Sequence, residues 1–162
     1  MRKEILLFGA LLWASACALS MSAAPSSGRV AVVTGASRGI GRGIALELGN
    51  AGYTVYALGR STRANKRLLD DQRQVADGLD LTIESAAEAI NESGGCGYGI
   101  SIDLTEDGAI EKTLAKIMET EGGRLDVLVC SAYTTPLENI KGEFWTQSMD
   151  MWDALNGVGL RS

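Results

Sequence analysis

Val30-Ala31-Val32-Val33-Thr34-Gly35-Ala36-Ser37-Arg38-Gly39-Ile40-Gly41-Arg42-Gly43-Ile44-Ala45-Leu46-Glu47-Leu48 is the stretch that decides the fold. It begins as a β-branched apolar run, the pattern of a strand buried on both faces. The run breaks at Gly35, and Ile40, Ile44, Leu46 and Leu48 then recur at roughly helical spacing. Between strand and helix stand Gly35, Gly39 and Gly41, as Gly-x-x-x-Gly-x-Gly. A helix start behind such a turn gathers unbonded N–H groups and the positive end of the helix dipole, which makes an anion site. Glycines let the backbone turn sharply and approach a pyrophosphate that a Cβ would hold off. The alternative is a glycine-rich turn without a ligand. The strand before it and the helix after it favour dinucleotide binding.

The rest of the chain fits that reading. Its 162 residues suit one domain with a core of useful size. A net charge of −5 with scattered Lys and Arg argues against a nucleic-acid surface. The absence of histidine removes the usual general base, Ser–His triads and most zinc sites. Cys17, Cys96 and Cys130 are far apart and form no metal-binding spacing, and with one of them in the leader no disulfide framework is implied.

Downstream, the first helix is expected to end near Asn50-Ala51-Gly52, where glycine suits a left-handed cap. Thr54 to Leu58 reads as a second strand closing at Gly59-Arg60, and a strand, helix and strand so close together imply a right-handed parallel crossover. An acid just past that strand would accept a hydrogen bond from a ribose 2′-hydroxyl and favour NAD. Gly59-Arg60-Ser61 stands there instead, with no acid until Asp70. Arg60 can pair with a 2′-phosphate, and Arg38 can approach from the other side. The alternative is two solvated surface arginines.

Ser61 to Asp80 is polar and reads mostly as a solvated loop. Thr82 to Ser93 reads as a helix with Ile83, Ala86, Ala87 and Ile90 inward, ended by Gly94-Gly95. Tyr98 to Ile102 is a third strand leading into Asp103-Leu104. Thr105-Glu106-Asp107 has the composition of a helix N-terminus, and that helix is expected to reach about Glu121 with Ile110, Leu114 and Ile117 inward. Leu125 to Val129 is a fourth strand, leaving through Cys130-Ser131-Ala132. Thr134 to Gly142 reads as a loop, and a last helix begins near Ser148. The fold predicted is α/β: a Rossmann-like, doubly wound parallel sheet of order 3-2-1-4, stopping after the fourth strand and the start of the following helix.

Thr34-Gly35-Ala36-Ser37-Arg38-Gly39-Ile40-Gly41 resembles the cofactor loop of the short-chain dehydrogenase/reductase family, and the similarity runs from about Arg29 to the last residue. Gly123-Arg124-Leu125-Asp126-Val127-Leu128-Val129 and Met151-Trp152-Asp153 resemble one group within it in particular. The resemblance implies cofactor contacts from Thr34, Gly35, Ser37, Arg38, Gly39, Ile40 and Gly41. It implies that Asp103 and Leu104 lie against the adenine, with Asp103 accepting a hydrogen bond from the adenine amino group. Similar enzymes with basic residues at the positions of Arg38 and Arg60 prefer NADP(H). At the exit of the fourth strand the family usually carries Asn-Asn-Ala-Gly; here Cys130-Ser131-Ala132-Tyr133 matches at Ala132 alone, and the backbone of Ser131 and Ala132 is expected to line the cofactor ribose. Cys130 reads as a small buried residue, since nothing near it in sequence activates a thiol. The family's proton-relay Asn, seven residues after the matching Trp152, falls at Gly159, so that role is not carried to Asn156.

The catalytic residues the resemblance implies, a Ser on the next strand and Tyr-x-x-x-Lys on the next helix, are not in the sequence. None of its four tyrosines has a lysine four residues on. No catalytic residue and no metal ligand is therefore assigned. The expectation is a fragment of an NADP(H)-dependent oxidoreductase that acts on a ketone, aldehyde or secondary alcohol when complete, as a monomer or a homo-oligomer, and is inactive alone. Two alternatives stay open: a non-enzymatic NADP(H)-binding module, by itself or paired with a full-length reductase, and a product that does not fold stably.

Residues 1–24 differ from the remainder. Arg2 and Lys3 form a basic start, Ile5 to Leu19 is apolar except for Ser15, and small residues follow, which is the grammar of a secretory signal peptide. Uncleaved, Ile5 to Ala24 is long enough for a membrane anchor. A mistaken start or a buried helix is the alternative. The expected division is thus a leader over 1–24 and a partial NADP(H)-binding domain over 25–162. The implied location is the endoplasmic reticulum membrane or lumen in a eukaryote, or the cytoplasm if the leader is a mistaken start.

Overall fold

A computed structural model describes residues 28–65, 80–106, 108–134 and 143–159. The leader over 1–24, most of the polar loop and most of the expected loop after Thr134 lie outside the described residues. Four strands, β1 (Val30–Thr34), β2 (Thr54–Gly59), β3 (Cys96–Ser101) and β4 (Val127–Cys130), alternate with α1 (Gly39–Asn50), α2 (Ile83–Glu92) and α3 (Ala109–Thr120). A short 3-10 turn (Phe144–Thr146) and α4 (Met149–Gly159) follow. All pairings are parallel and the order is β3-β2-β1-β4, as expected of the doubly wound fold.

The central strand is buried along its whole length, and its side chains alternate between two cores. Ala31 and Val33 join Val55 and Ala57 beneath Ala45 of α1 and Ala86 and Ile90 of α2. Val30 and Val32 join Tyr56, Leu58 and Ile102 on the opposite face, against Ile117 of α3. Helices thus cover both faces. On the α3 side, Tyr56 stacks on Tyr98 with ring centroids 5.1 Å apart. Its hydroxyl donates to Glu121 Oε1 at 2.5 Å.

Three elements have the ends that local chemistry predicts. Helix α1 gives way to Ala51 and to Gly52 at φ +79°. Helix α2 starts after Thr82, whose Oγ1 accepts from the backbone N–H of Ser85 at 3.2 Å. Its buried residues are the four expected: Ile83, Ala86, Ala87 and Ile90. Helix α4 begins at Met149, one residue after the expected start.

Three boundaries differ, and the first is that of β4, which begins at Val127, two residues after the expected Leu125. Strand β3 begins at Cys96, two residues before the expected Tyr98. Gly97 and Gly99, poor strand formers by propensity, are required there because α2 lies directly on them. A Cβ on Gly97 would stand 2.6 Å from the Ala87 carbonyl oxygen, and one on Gly99 2.9 Å from that of Ile83. Helix α3 begins at Ala109, not at Thr105. Asp103 Oδ1 takes both the backbone N–H and the hydroxyl of Thr105, at 3.0 and 2.8 Å, so that hydroxyl does not cap a helix. The helix starts instead behind Gly108, at φ +74°.

Candidate functional site

The chain leaves β1 through Gly35 and crosses from β3 to β4 on the far side of β1, so the connections diverge at the carboxyl end of the central strand. In open parallel sheets that divergence leaves a crevice. A cleft of about 410 Å³ opens there. Gly35, Ser37, Arg38, Gly39, Ile40, Gly41, Arg60, Leu104, Ser131 and Ala132 line it, ten of the residues singled out in the sequence. Thr34 and Asp103 are not among the lining residues.

The three glycines of the loop do different work. Gly35 has φ +69°, and a Cβ on it would stand 2.8 Å from the backbone of Ala132. Gly41 lies against Gly35 itself, with a Cβ position 2.4 Å from the Gly35 carbonyl oxygen. Both serve contacts of chain on chain. Gly39, at φ +57°, has nothing within 4 Å of its Cβ position and faces open space. It is the glycine that leaves room for a ligand.

Thr34 fixes the cleft from below. Its Oγ1 accepts from the backbone N–H groups of Ser131 and Ala132, both at 3.2 Å, and donates to the Val129 carbonyl at 3.4 Å. This holds the exit of β4 against the glycine turn. Helix α1 then starts at Gly39 with Arg38 as the residue before it, extended and making no side-chain cap. No side chain caps its first N–H groups, and a helix start of that kind can hold an anion.

The two arginines are turned to different partners. Arg38 Nη2 donates to Ser61 Oγ at 2.9 Å and to the Leu81 carbonyl at 3.5 Å. Arg60 Nη1 is 3.9 Å from Asp103 Oδ1, and its Nη2 donates to Thr134 Oγ1 at 3.4 Å. Both line the cleft at its β2 side. Near them Arg63 pairs with Asp80 at 2.7 Å and with Glu88 at 2.5 Å. Hydrogen bonding to Arg63 holds the Glu88 carboxyl below its usual range, and the same contacts raise the Arg63 guanidinium.

Sequence reasoning missed six lining residues: Gly59, Ser61, Ile102, Tyr133, Thr134 and Val158. Five flank positions already singled out at strand exits, so extending each exit by a residue or two would have found them. Val158 comes from α4 and carries no local signal. Cys130 is exposed, not buried as expected: among the described residues β4 is an outer strand, and its alternate side chains, Leu128 and Cys130, are uncovered. Among the described residues no group of His, Cys, Asp and Glu could hold a metal ion, and no helix is long and apolar enough to cross a membrane.

Residues 29–82 match the family model for short chain dehydrogenases. The chain is 42% identical over 142 residues to human dehydrogenase/reductase SDR family member 1, covering 86% of this chain and 40% of that protein. That protein represents the group whose motifs the sequence resembles. Among solved structures, a metagenomic short-chain oxidoreductase in complex with NADP superposes with a TM-score of 0.64 at 32% identity, over 84% of this chain and 52% of the other. The 3-oxoacyl-[acyl-carrier protein] reductase of Brucella melitensis in complex with NAD gives 0.61 at 25% identity, over 82% and 44%. The chain thus spans about two fifths of the length of the human relative and about half that of the solved structures. In sequence and in fold it is similar to the N-terminal part of these short-chain dehydrogenases/reductases.

Proposed function

We propose that this chain is the NADP(H)-binding part of a short-chain oxidoreductase, and that the dinucleotide lies in the cleft at the carboxyl ends of β1 to β4. The observation that carries the reading is the start of α1: an uncapped helix N-terminus behind a glycine turn, with Gly39 open to the cleft. The pyrophosphate fits against those N–H groups. Arg38 and Arg60 fit a 2′-phosphate at the β2 side, where an NAD-preferring site would present an acid. Leu104 offers an apolar surface to the adenine, and Ser131 and Ala132 line the ribose side. Asp103, engaged with Thr105 and Arg60, would have to offer its remaining acceptor capacity to the adenine amino group.

When bound, the dinucleotide supplies a hydride; the complete protein would exchange it with a ketone, aldehyde or secondary alcohol. This chain binds and orients the cofactor, and none of its tyrosines has the lysine partner that would make it the family's proton donor. The 162-residue chain alone is therefore expected to oxidise no NADPH with a panel of ketones, and turnover above background would reveal an acid not identified above. A second reading, a nucleotide-binding module that senses NADP(H) or pairs with a full-length reductase, rests on the same glycine turn and cleft. Cofactor fluorescence titration tests the shared core of both. NADPH is expected to bind more tightly than NADH, and Arg60→Asp to shift the preference toward NADH; equal affinities in the unaltered chain would remove the NADP(H) reading. For the leader we propose targeting to the endoplasmic reticulum, on the basic start and apolar run of residues 1–24 alone. Residues 1–28 fused to a fluorescent protein should label that membrane or lumen, and a diffuse cytosolic signal would count against it.

A further inference from the structure

Arg42 closes the first turn of α1, and its guanidinium reaches away from the helix to a second element. Its Nη1 donates to the carbonyl oxygens of Ser37 at 3.4 Å and Asp80 at 3.5 Å. Its Nη2 donates to the carbonyl of Ser85 at 3.4 Å and to Ser85 Oγ at 3.1 Å. One planar fork thus joins the glycine loop to the segment that opens α2. That same segment braces Arg38, whose Nη2 is held by the Leu81 carbonyl and by Ser61 Oγ. Ser61 is in turn tied to it, because its carbonyl accepts from the N–H of Ile83 at 3.0 Å. Arg38 lines the cleft and Arg42 does not.

We propose that Arg42 is a positioning residue for cofactor choice: it fastens the Asp80–Ser85 segment to the glycine loop and thereby sets the direction of the Arg38 guanidinium. The inference rests on the NADP(H) reading above. Without the Arg42 fork, the Arg38 charge remains but its backing drifts relative to α1. Contact with a 2′-phosphate depends on the direction of that guanidinium. Contact with the pyrophosphate depends on helix N–H groups that Arg42 does not touch. Removing the fork should therefore weaken discrimination between the two dinucleotides more than binding in general. A lysine has one compact ammonium in place of the fork and reaches only part of the acceptor set.

The test is fluorescence titration of the full 162-residue chain with NADPH and with NADH, accompanied by thermal unfolding, for the unaltered chain, Arg42→Met, Arg42→Lys and Ser85→Ala. In Arg42→Met the ratio of the NADH to the NADPH dissociation constant should fall roughly tenfold, the scale of one well-placed charged contact. Arg42→Lys should recover part of the ratio. Ser85→Ala, which keeps the arginine and removes one acceptor, should move the ratio in the same direction by less and decides the matter if Arg42→Met does not fold. An unchanged ratio, or equal weakening of both dinucleotides, overturns the inference while leaving the NADP(H) reading intact. An unaltered chain that binds both equally overturns the NADP(H) reading first.

Discussion

Thr34 stands one residue before the glycine turn, and its hydroxyl spends all its capacity on backbone: two N–H groups of the β4 exit and one carbonyl. Replacing it with valine keeps the shape and leaves two part-buried donors without that acceptor, which costs about 1–3 kcal/mol. Thr34→Val should therefore unfold at lower denaturant concentration than the unaltered chain, and an unchanged midpoint would mean that water takes over the acceptor. Asp126 works similarly at the opposite end of β1, accepting from the N–H of Val30 at 2.8 Å. The hydrogen bond from Arg124, then that from Val30, hold its carboxyl below the usual value of 3.8. A carboxyl with a depressed folded value contributes stability that is complete above its unfolded value and is lost as pH falls through the folded one. The melting temperature of Asp126→Asn should thus be lower than that of the unaltered chain at neutral pH, and the gap should close as pH drops below about 4. A gap independent of pH would assign the effect to something other than this carboxylate. Residues such as these show where sequence reading stops: the motif identifies Thr34 as part of the loop, but its partners lie about a hundred residues away.

At the scale of elements, the strands and helices were legible wherever apolar periodicity was strong, as in β1, α1 and α2. They were less so where packing overrode propensity. The start of β3 is hidden in the sequence because two glycines weaken the strand pattern, yet those glycines let α2 settle onto the sheet. Gly97→Ala would push a methyl into the backbone of Ala87 and the side chain of Ile90, a clash that costs about 1–3 kcal/mol when the neighbours yield. Gly43→Ala, where nothing lies within 4 Å of the Cβ position, should by contrast be neutral or stabilising in a helix interior. Chemical denaturation of the two variants side by side checks the contrast, and equal effects would mean that α2 is free to lift. The start of α3 is hidden for a different reason. Thr105-Glu106-Asp107 has the right composition for a helix N-terminus, but Asp103 competes for the same hydroxyl and amide and turns the chain first.

At the scale of the whole molecule, the order β3-β2-β1-β4 follows from right-handed crossovers and the burial of β1, and it places the cleft where the sequence put the candidate residues. Less legible was the contribution of α4, which brings Val158 to the cleft through tertiary packing alone. The same topology makes β4 an outer strand, paired with β1 on one side among the described residues. Its sequence after Asp126 is Val127-Leu128-Val129-Cys130, without the lysine, proline or bulge that usually blunts such an edge. Leu128 is 49% exposed, and Trp145, Met149 and Trp152 are exposed by 68, 72 and 63%. A row of available N–H and C=O groups, on a molecule that also exposes aromatic side chains, favours pairing with another strand. Residues 25–162 produced alone should accordingly associate edge to edge or aggregate with rising concentration. Leu128→Lys places a charge on that strand and should reduce the association, whereas a charge on the far side of the sheet should not. Sedimentation velocity over a concentration series decides between them. If the unaltered 25–162 segment sediments as a monomer and unfolds cooperatively, the exposed edge is not a liability, and the segment stands as a self-sufficient binding module.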